Sequence, residues 1–155
     1  MSEKDFLALI EENQGILIKV SRIYARNKSD EEDLRQEIVL QAWKSFTRFR
    51  GEAKFSTWFY RLALNTAMTF TRKQKDLVQD FELPEKGSEI DHYSRELLIR
   101  HIRELEDGDK LIIMLHLDGY PNPEIASIAG ISKNHVGVKL HRIKERLAQK
   151  IKVEL

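Results

Sequence analysis

The chain has 155 residues, 41% of them apolar and 33% charged, with a net charge of +1 and no cysteine. That length suits one medium domain or two small helical ones, and the missing cysteine excludes disulfides, thiolate nucleophiles and thiolate metal sites. No apolar run follows a basic start, so no signal peptide is expected, and Leu111–Leu115, the longest apolar run, is too short to span a bilayer. The expectation is a soluble, cytoplasmic protein without membrane insertion.

Taken in chain order, helical periodicity dominates. Ile16, Val20 and Ile23/Tyr24 recur at helical spacing, and Gly15 marks an expected break after a short first helix. Ser29 to Glu32 reads as a capping box, Ser29 capping free N–H groups while Glu32 reaches back. The helix it opens carries Leu34, Ile38 and Ala42 on one face and Phe46 a turn further on. Its opposite stripe holds Asp33, Gln36, Glu37 and Leu40. An acidic stripe with an exposed leucine suits either protein docking or an ordinary solvated face; it does not suit nucleic acid.

The stretch Phe49 to Ala67 sets Phe49, Phe55, Trp58, Phe59 and a tyrosine among basic residues, and from Lys54 to Lys75 there are five Lys or Arg and no acid. Such interleaving suits a surface that holds unstacked bases by π contact while cations track phosphates. Trp58 and Phe59 are equally candidates for core. A helix is expected from about Ser56 to Lys73, burying Phe59, Leu62, Ala63 and Phe70. From Asp76 to Ser94 the pattern is lost, with six acids against one lysine, and the segment reads as a flexible tether.

Beyond it, Glu96 to Leu105 reads as helix, and Asp109 is expected to cap a helix through Leu117 that ends at Gly119. Asn122 and Pro123 give an N-cap followed by proline at the first helical position. That short helix ends at Gly130, and Ser132 caps a last helix from Lys133 to about Lys152. The pair reads as a helix-turn-helix, with Ile125, Ala126, Ile131, Val136 and Leu140 inward and Lys133, Asn134, Gly137, Val138, His141 and Arg142 outward. Seven Lys or Arg against Glu145 between Lys133 and Lys152 give it a positive field. The histidines form no i, i+4 pair, so no metal site is expected; no hydrolase or phosphate-loop motif occurs, and neither an enzyme nor a cofactor is expected. The fold expected is all-α: an N-terminal helical bundle and a C-terminal helix-turn-helix domain joined by a flexible acidic linker.

These residues carry a family resemblance. EEDLRQEIVLQAW followed by FRGEAKFSTWFYRLALNTA resembles the first domain of bacterial RNA polymerase sigma factors of the sigma-70 family, extracytoplasmic-function type. EIASIAGISKNHVGVKLHRIKERL resembles their last. The resemblance implies domains at 1–75 and 95–155 around a linker at 76–94, with core RNA polymerase and promoter DNA, duplex and melted, as partners and an anti-sigma factor as a third. It puts Asp33, Gln36, Glu37 and Leu40 on the helix that docks on the polymerase clamp. It matches the segment from Ser45 to Ser56 to the loop that receives a flipped minus-ten base. Phe49 and Asn65 then wedge apart and read the first melted bases, and Lys54, Arg61, Arg72 and Lys73 hold adjacent phosphates. His141 and Arg142 match positions that reach minus-thirty-five bases, with Lys133, Asn134 and Lys139 as further contacts. Gly137 and Val138 depart from the longer polar side chains of many members. A stand-alone helix-turn-helix regulator is the alternative; it leaves the aromatic-basic segment and the acidic stripe without a role.

Overall fold

The computed structural model describes residues 2–73 and 90–154. The chain divides into two compact units, Met1–Glu82 and Leu83–Leu155, and every described element is a helix. Most of the acidic segment read as a tether lies outside the described residues. Its last residues, from Ile90, already belong to a helix.

The first unit contains α1 (Glu3–Glu12), α2 (Gln14–Tyr24), α3 (Lys28–Phe46) and α4 (Phe55–Lys73). The break after α1 falls at Asn13 and not at Gly15, which is helical within α2. Asn13 has a side chain that does what glycine cannot: its Nδ2 donates to the Leu9 carbonyl at 2.7 Å, satisfying an orphan acceptor of the helix end. The cap of α3 also lies earlier than expected. Asn27 Oδ1 accepts from Asp30 N at 2.8 Å, so Ser29 is already in the first turn. Asp30 folds back beside Arg26, 3.5 Å away.

α4 packs against both α2 and α3. Val20, Leu34, Ile38, Ala42, Phe59, Ala63, Leu64 and Ala67 are wholly buried there. The three alanines let the helix axes approach, and the larger side chains fill the space between them. Leu64 and Ala67 carry the burial expected of Leu62 and Phe70, which are half-exposed at the edge of that face.

The second unit contains α5 (Ile90–Arg103), α6 (Asp107–Leu117), α7 (Asn122–Ala129) and α8 (Lys133–Glu154). α6 carries Leu111 to Leu115, all buried, and stands against α7 and α8. Asp109 does not cap it. The cap position is Glu106, without a side-chain bond, and Asp109 instead meets Lys139 of α8, 3.6 Å away. α7 likewise starts one residue early, with Pro121 at the cap and Asn122 inside the first turn. Gly130 closes α7 at φ +73°, a conformation that opens the tight turn at little cost only for glycine. Ser132 Oγ then accepts from His135 N at 3.1 Å and caps α8.

A polar clasp joins the end of α5 to α8: Lys150 Nζ donates to Glu104 Oε2 at 3.2 Å, and His101 Nδ1 lies 3.4 Å from the same oxygen. Partial burial pushes the Glu104 carboxyl up, but the bonds from Lys150 and His101 outweigh it and hold the group below its ordinary range. A depressed carboxylate stabilises the fold above its unfolded pKa and ceases to do so as pH falls through the folded value. Glu104→Gln should therefore lower the thermal midpoint at neutral pH, and the difference from wild type should vanish in acid. With Glu104 nearly half-exposed, the loss is about 0.2–1 kcal/mol, the range of screened surface pairs.

Candidate functional site

Four surfaces carry expected residues, three on the first unit and one on the second. The first lies along α3. Asp33, Gln36 and Leu40 are exposed, Leu40 by 45%. Gln36 and Leu40 join Leu7, Val39, Trp43 and the rim residues Glu3 and Arg35 in an apolar groove of about 510 Å³ between α1 and α3. Leu7 is 55% exposed and Trp43 44%, a concentration of open apolar surface that favours a protein partner. Arg35 is fixed at the rim, its Nε donating to Ser21 Oγ at 2.9 Å. Leu7 and Trp43 were not legible as surface. Phe6 turns inward from α1 to meet Phe46 and leaves Leu7 outside, and the Trp43 ring is held 5.1 Å from Phe6 at the edge.

Glu37 leaves that stripe. It accepts from Gln41 Nε2 at 2.9 Å and lines a second groove of about 430 Å³ between α3 and α4 with Gln41, Asn65, Thr66, Thr69, Phe70 and Lys73. The residue expected to face polymerase thus neighbours two expected to face DNA. Asn65 is exposed, as are Arg61, Arg72 and Lys73.

The loop between α3 and α4 carries Phe49. Bonds from Arg48 N to Ser45 O (2.9 Å) and from Phe49 N to Phe46 O (3.0 Å) keep the chain turning after the helix. They bring the Phe49 ring back onto Phe46, Phe55 and Trp58, with centroids 6.3, 5.7 and 5.2 Å away. Phe49 is thereby half-buried, the outermost ring of an aromatic cluster and not a freely exposed loop side chain. Phe55 and Phe59 are core, and Phe49 and Trp58 reach the surface. Burying most of the rings is what sets the outer two in place, since stacked and edge-on pairs fix ring orientation. Ser45 is half-buried in the last turn of α3, and Lys54 is exposed just before α4.

On the second unit, Lys133, Asn134, Gly137, Val138, His141 and Arg142 line one open face of about 590 Å³ with Asn122 of α7. Ile125, Ala126, Val136 and Leu140 are buried behind it, whereas Ile131, expected as core, is half-buried at the turn. Lys139 is not part of that face. It stands on the flank of α8, committed to Asp109. Among the described residues no three His, Asp or Glu side chains converge to hold a metal, and no helix is long and apolar enough to cross a membrane.

A helical unit with an aromatic-basic loop suits unpaired bases, and a helix-turn-helix unit suits duplex DNA, so together they describe a two-part nucleic-acid-binding protein. Residues 9–79 match the model for sigma-70 region 2, and residues 95–147 that for sigma-70 region 4. RNA polymerase sigma factor SigV of Bacillus subtilis is 36% identical over 124 residues, covering 77% of this chain and 74% of that protein. The ECF RNA polymerase sigma-E factor of Escherichia coli K12 is 27% identical over 154 residues, covering 86% and 81%. Among solved structures, the sigma factor RpoE in complex with the anti-sigma factor NepR from Bartonella quintana shares the fold. Its TM-score is 0.74 at 17% identity, over 99% of this chain and 98% of that one. The chain belongs to the sigma-70 family, in its extracytoplasmic-function branch, and is an alternative sigma factor.

Proposed function

We propose that the chain assembles with core RNA polymerase, positions it on promoters of one class and nucleates their melting. Asp33, Gln36 and Leu40, extended by Leu7 and Trp43, form the docking face, with Glu37 at its border with the DNA groove. Phe49 and Trp58 separate and stack minus-ten bases, Asn65 reads an unpaired base edge, and Ser45 lines the approach. Lys54, Arg61, Arg72 and Lys73 follow the adjacent phosphates. Lys133, Asn134, His141 and Arg142 enter the major groove of the minus-thirty-five element. Function divides at 1–75 and 95–155, with 76–94 between. The polymerase supplies all the chemistry, so the chain has no catalytic residue, metal or cofactor, and it works in the cytoplasm and, in holoenzyme, on the nucleoid. An anti-sigma factor is a further partner, a reading supported by the solved relative bound to one.

The observation that carries this is the half-exposed Phe49–Trp58 pair on the same unit as a groove holding Asn65 and Lys73. Duplex binding needs no such surface, whereas holding flipped bases does. Run-off transcription with purified core polymerase and genomic fragments tests it: discrete transcripts should appear only when the chain is added.

The two kinds of contact on α8 separate experimentally. Arg142→Ala should relax preference at one base pair by about 1–3 kcal/mol, the worth of a bidentate guanine contact. Lys139→Ala, on the flank of α8, should weaken all sequences about equally. It should reduce the salt slope by less than the ~1 of a full phosphate contact, because the Lys139 ammonium already pairs with Asp109. Competitive binding of promoter variants across salt concentrations reads both, and equal loss on every sequence for Arg142→Ala would assign it to phosphate alone.

A further inference from the structure

Val138 is 49% exposed, and it stands in the middle of the recognition face. Asn134 is one turn before it and His141 and Arg142 one turn after, all lining the same open surface. The neighbouring polar groups can serve phosphates or base edges. Valine has no donor or acceptor, so it cannot hydrogen-bond a base edge, and a contact with phosphate would desolvate the anion without compensation. In the major groove the apolar partner a base pair offers is the C5-methyl group of thymine.

Gly137 points the same way. It sits inside α8, where glycine weakens a helix, yet a Cβ built on it meets nothing within 4 Å. The protein's own packing therefore does not require the missing side chain. Its absence leaves the helix surface beside Val138 low, which lets the backbone and the short valine come close to the base edges.

We infer that Val138 is a specificity-determining residue: its methyl groups pack on the C5-methyl of one thymine in the minus-thirty-five element, with Gly137 admitting the approach. The inference rests on the proposed minus-thirty-five role of α8 and deepens it. Thymine is thereby selected at one step by a contact that involves no hydrogen bond.

The test uses holoenzyme assembled from core polymerase and the full chain, with linear promoter duplexes in which each thymine of the minus-thirty-five element is replaced singly by deoxyuridine. That change removes the methyl group and leaves base pairing intact. One replacement should weaken competitive binding about fourfold, the effect of ~0.8 kcal/mol for one buried methyl-sized group. Val138→Ala, a surface change that leaves the core untouched, should bind the thymine and deoxyuridine forms of that promoter equally. The inference is overturned if no single replacement matters while scrambling the whole element abolishes binding, or if Val138→Ala keeps the fourfold preference. If scrambling the element has no effect, the minus-thirty-five role of α8 falls as well.

Discussion

Asp33→Arg combined with Glu37→Arg should abolish co-purification with core RNA polymerase while the helical circular-dichroism signal survives. Asp33 is exposed and Glu37 half-exposed, so neither change disturbs the Leu34–Ile38–Ala42 face that holds α3 in the bundle. Two acids become two bases, Asp33 on the proposed docking face and Glu37 at its border with the α3–α4 groove, which would convert attraction into repulsion at a charge-matched interface. The expected loss is about 100-fold or more, since hot-spot residues are worth ~2–4 kcal/mol each. Trp43→Ala should weaken assembly by a smaller factor through the adjoining groove. Core binding retained by the double variant would show that the polymerase meets another face.

The second large effect concerns melting. Phe49→Ala or Asn65→Ala should leave core binding and closed-complex formation intact, yet suppress permanganate-reactive thymines in the minus-ten region. For Phe49, loss of base stacking costs about 1–3 kcal/mol per base, or roughly 5- to 150-fold in open complex. Phe49 also packs on Phe46, Phe55 and Trp58, so its variant should unfold at a somewhat lower temperature, whereas Asn65→Ala should not. A promoter with a pre-opened mismatch bubble should rescue part of the Phe49→Ala defect, because unpairing no longer opposes opening. It should rescue Asn65→Ala less, because on the proposed reading Asn65 acts on the base after separation. Wild-type melting of linear DNA by both variants would remove strand separation from this surface.

How much of this was legible depended on periodicity. Leu34, Ile38, Ala42 and Phe46 recur at helical spacing and are buried, and Gly130 with Ser132 marks the turn and cap of the helix-turn-helix. Helix starts were less legible, because several polar residues in a row can each cap. Asn27 precedes Ser29 as a competent acceptor, whereas at α7 the cap position falls on Pro121, which makes no side-chain bond that a pattern of polar residues could reveal. The aromatic-basic loop was legible as composition but not as geometry. Sequence spacing does not say that the Phe49 ring folds back onto Phe55 and Trp58, nor that Glu37 turns toward Asn65 while Leu40 turns toward Leu7. Those placements are set by tertiary packing: α4 against α3 in one case, α1 against α3 in the other. Lys139 is the same kind of case, since its partner Asp109 lies thirty residues away on another helix.

The central claim is that this chain makes the polymerase open DNA, rather than merely binding duplex. The most direct measurement places 2-aminopurine in the non-template strand of the minus-ten element of a linear promoter and follows its fluorescence. The rise expected on unstacking should appear when the chain and core polymerase are added together, and with neither alone. Tight duplex binding by the chain alone, with no fluorescence rise when core polymerase is present, would contradict the account and favour a stand-alone helix-turn-helix regulator.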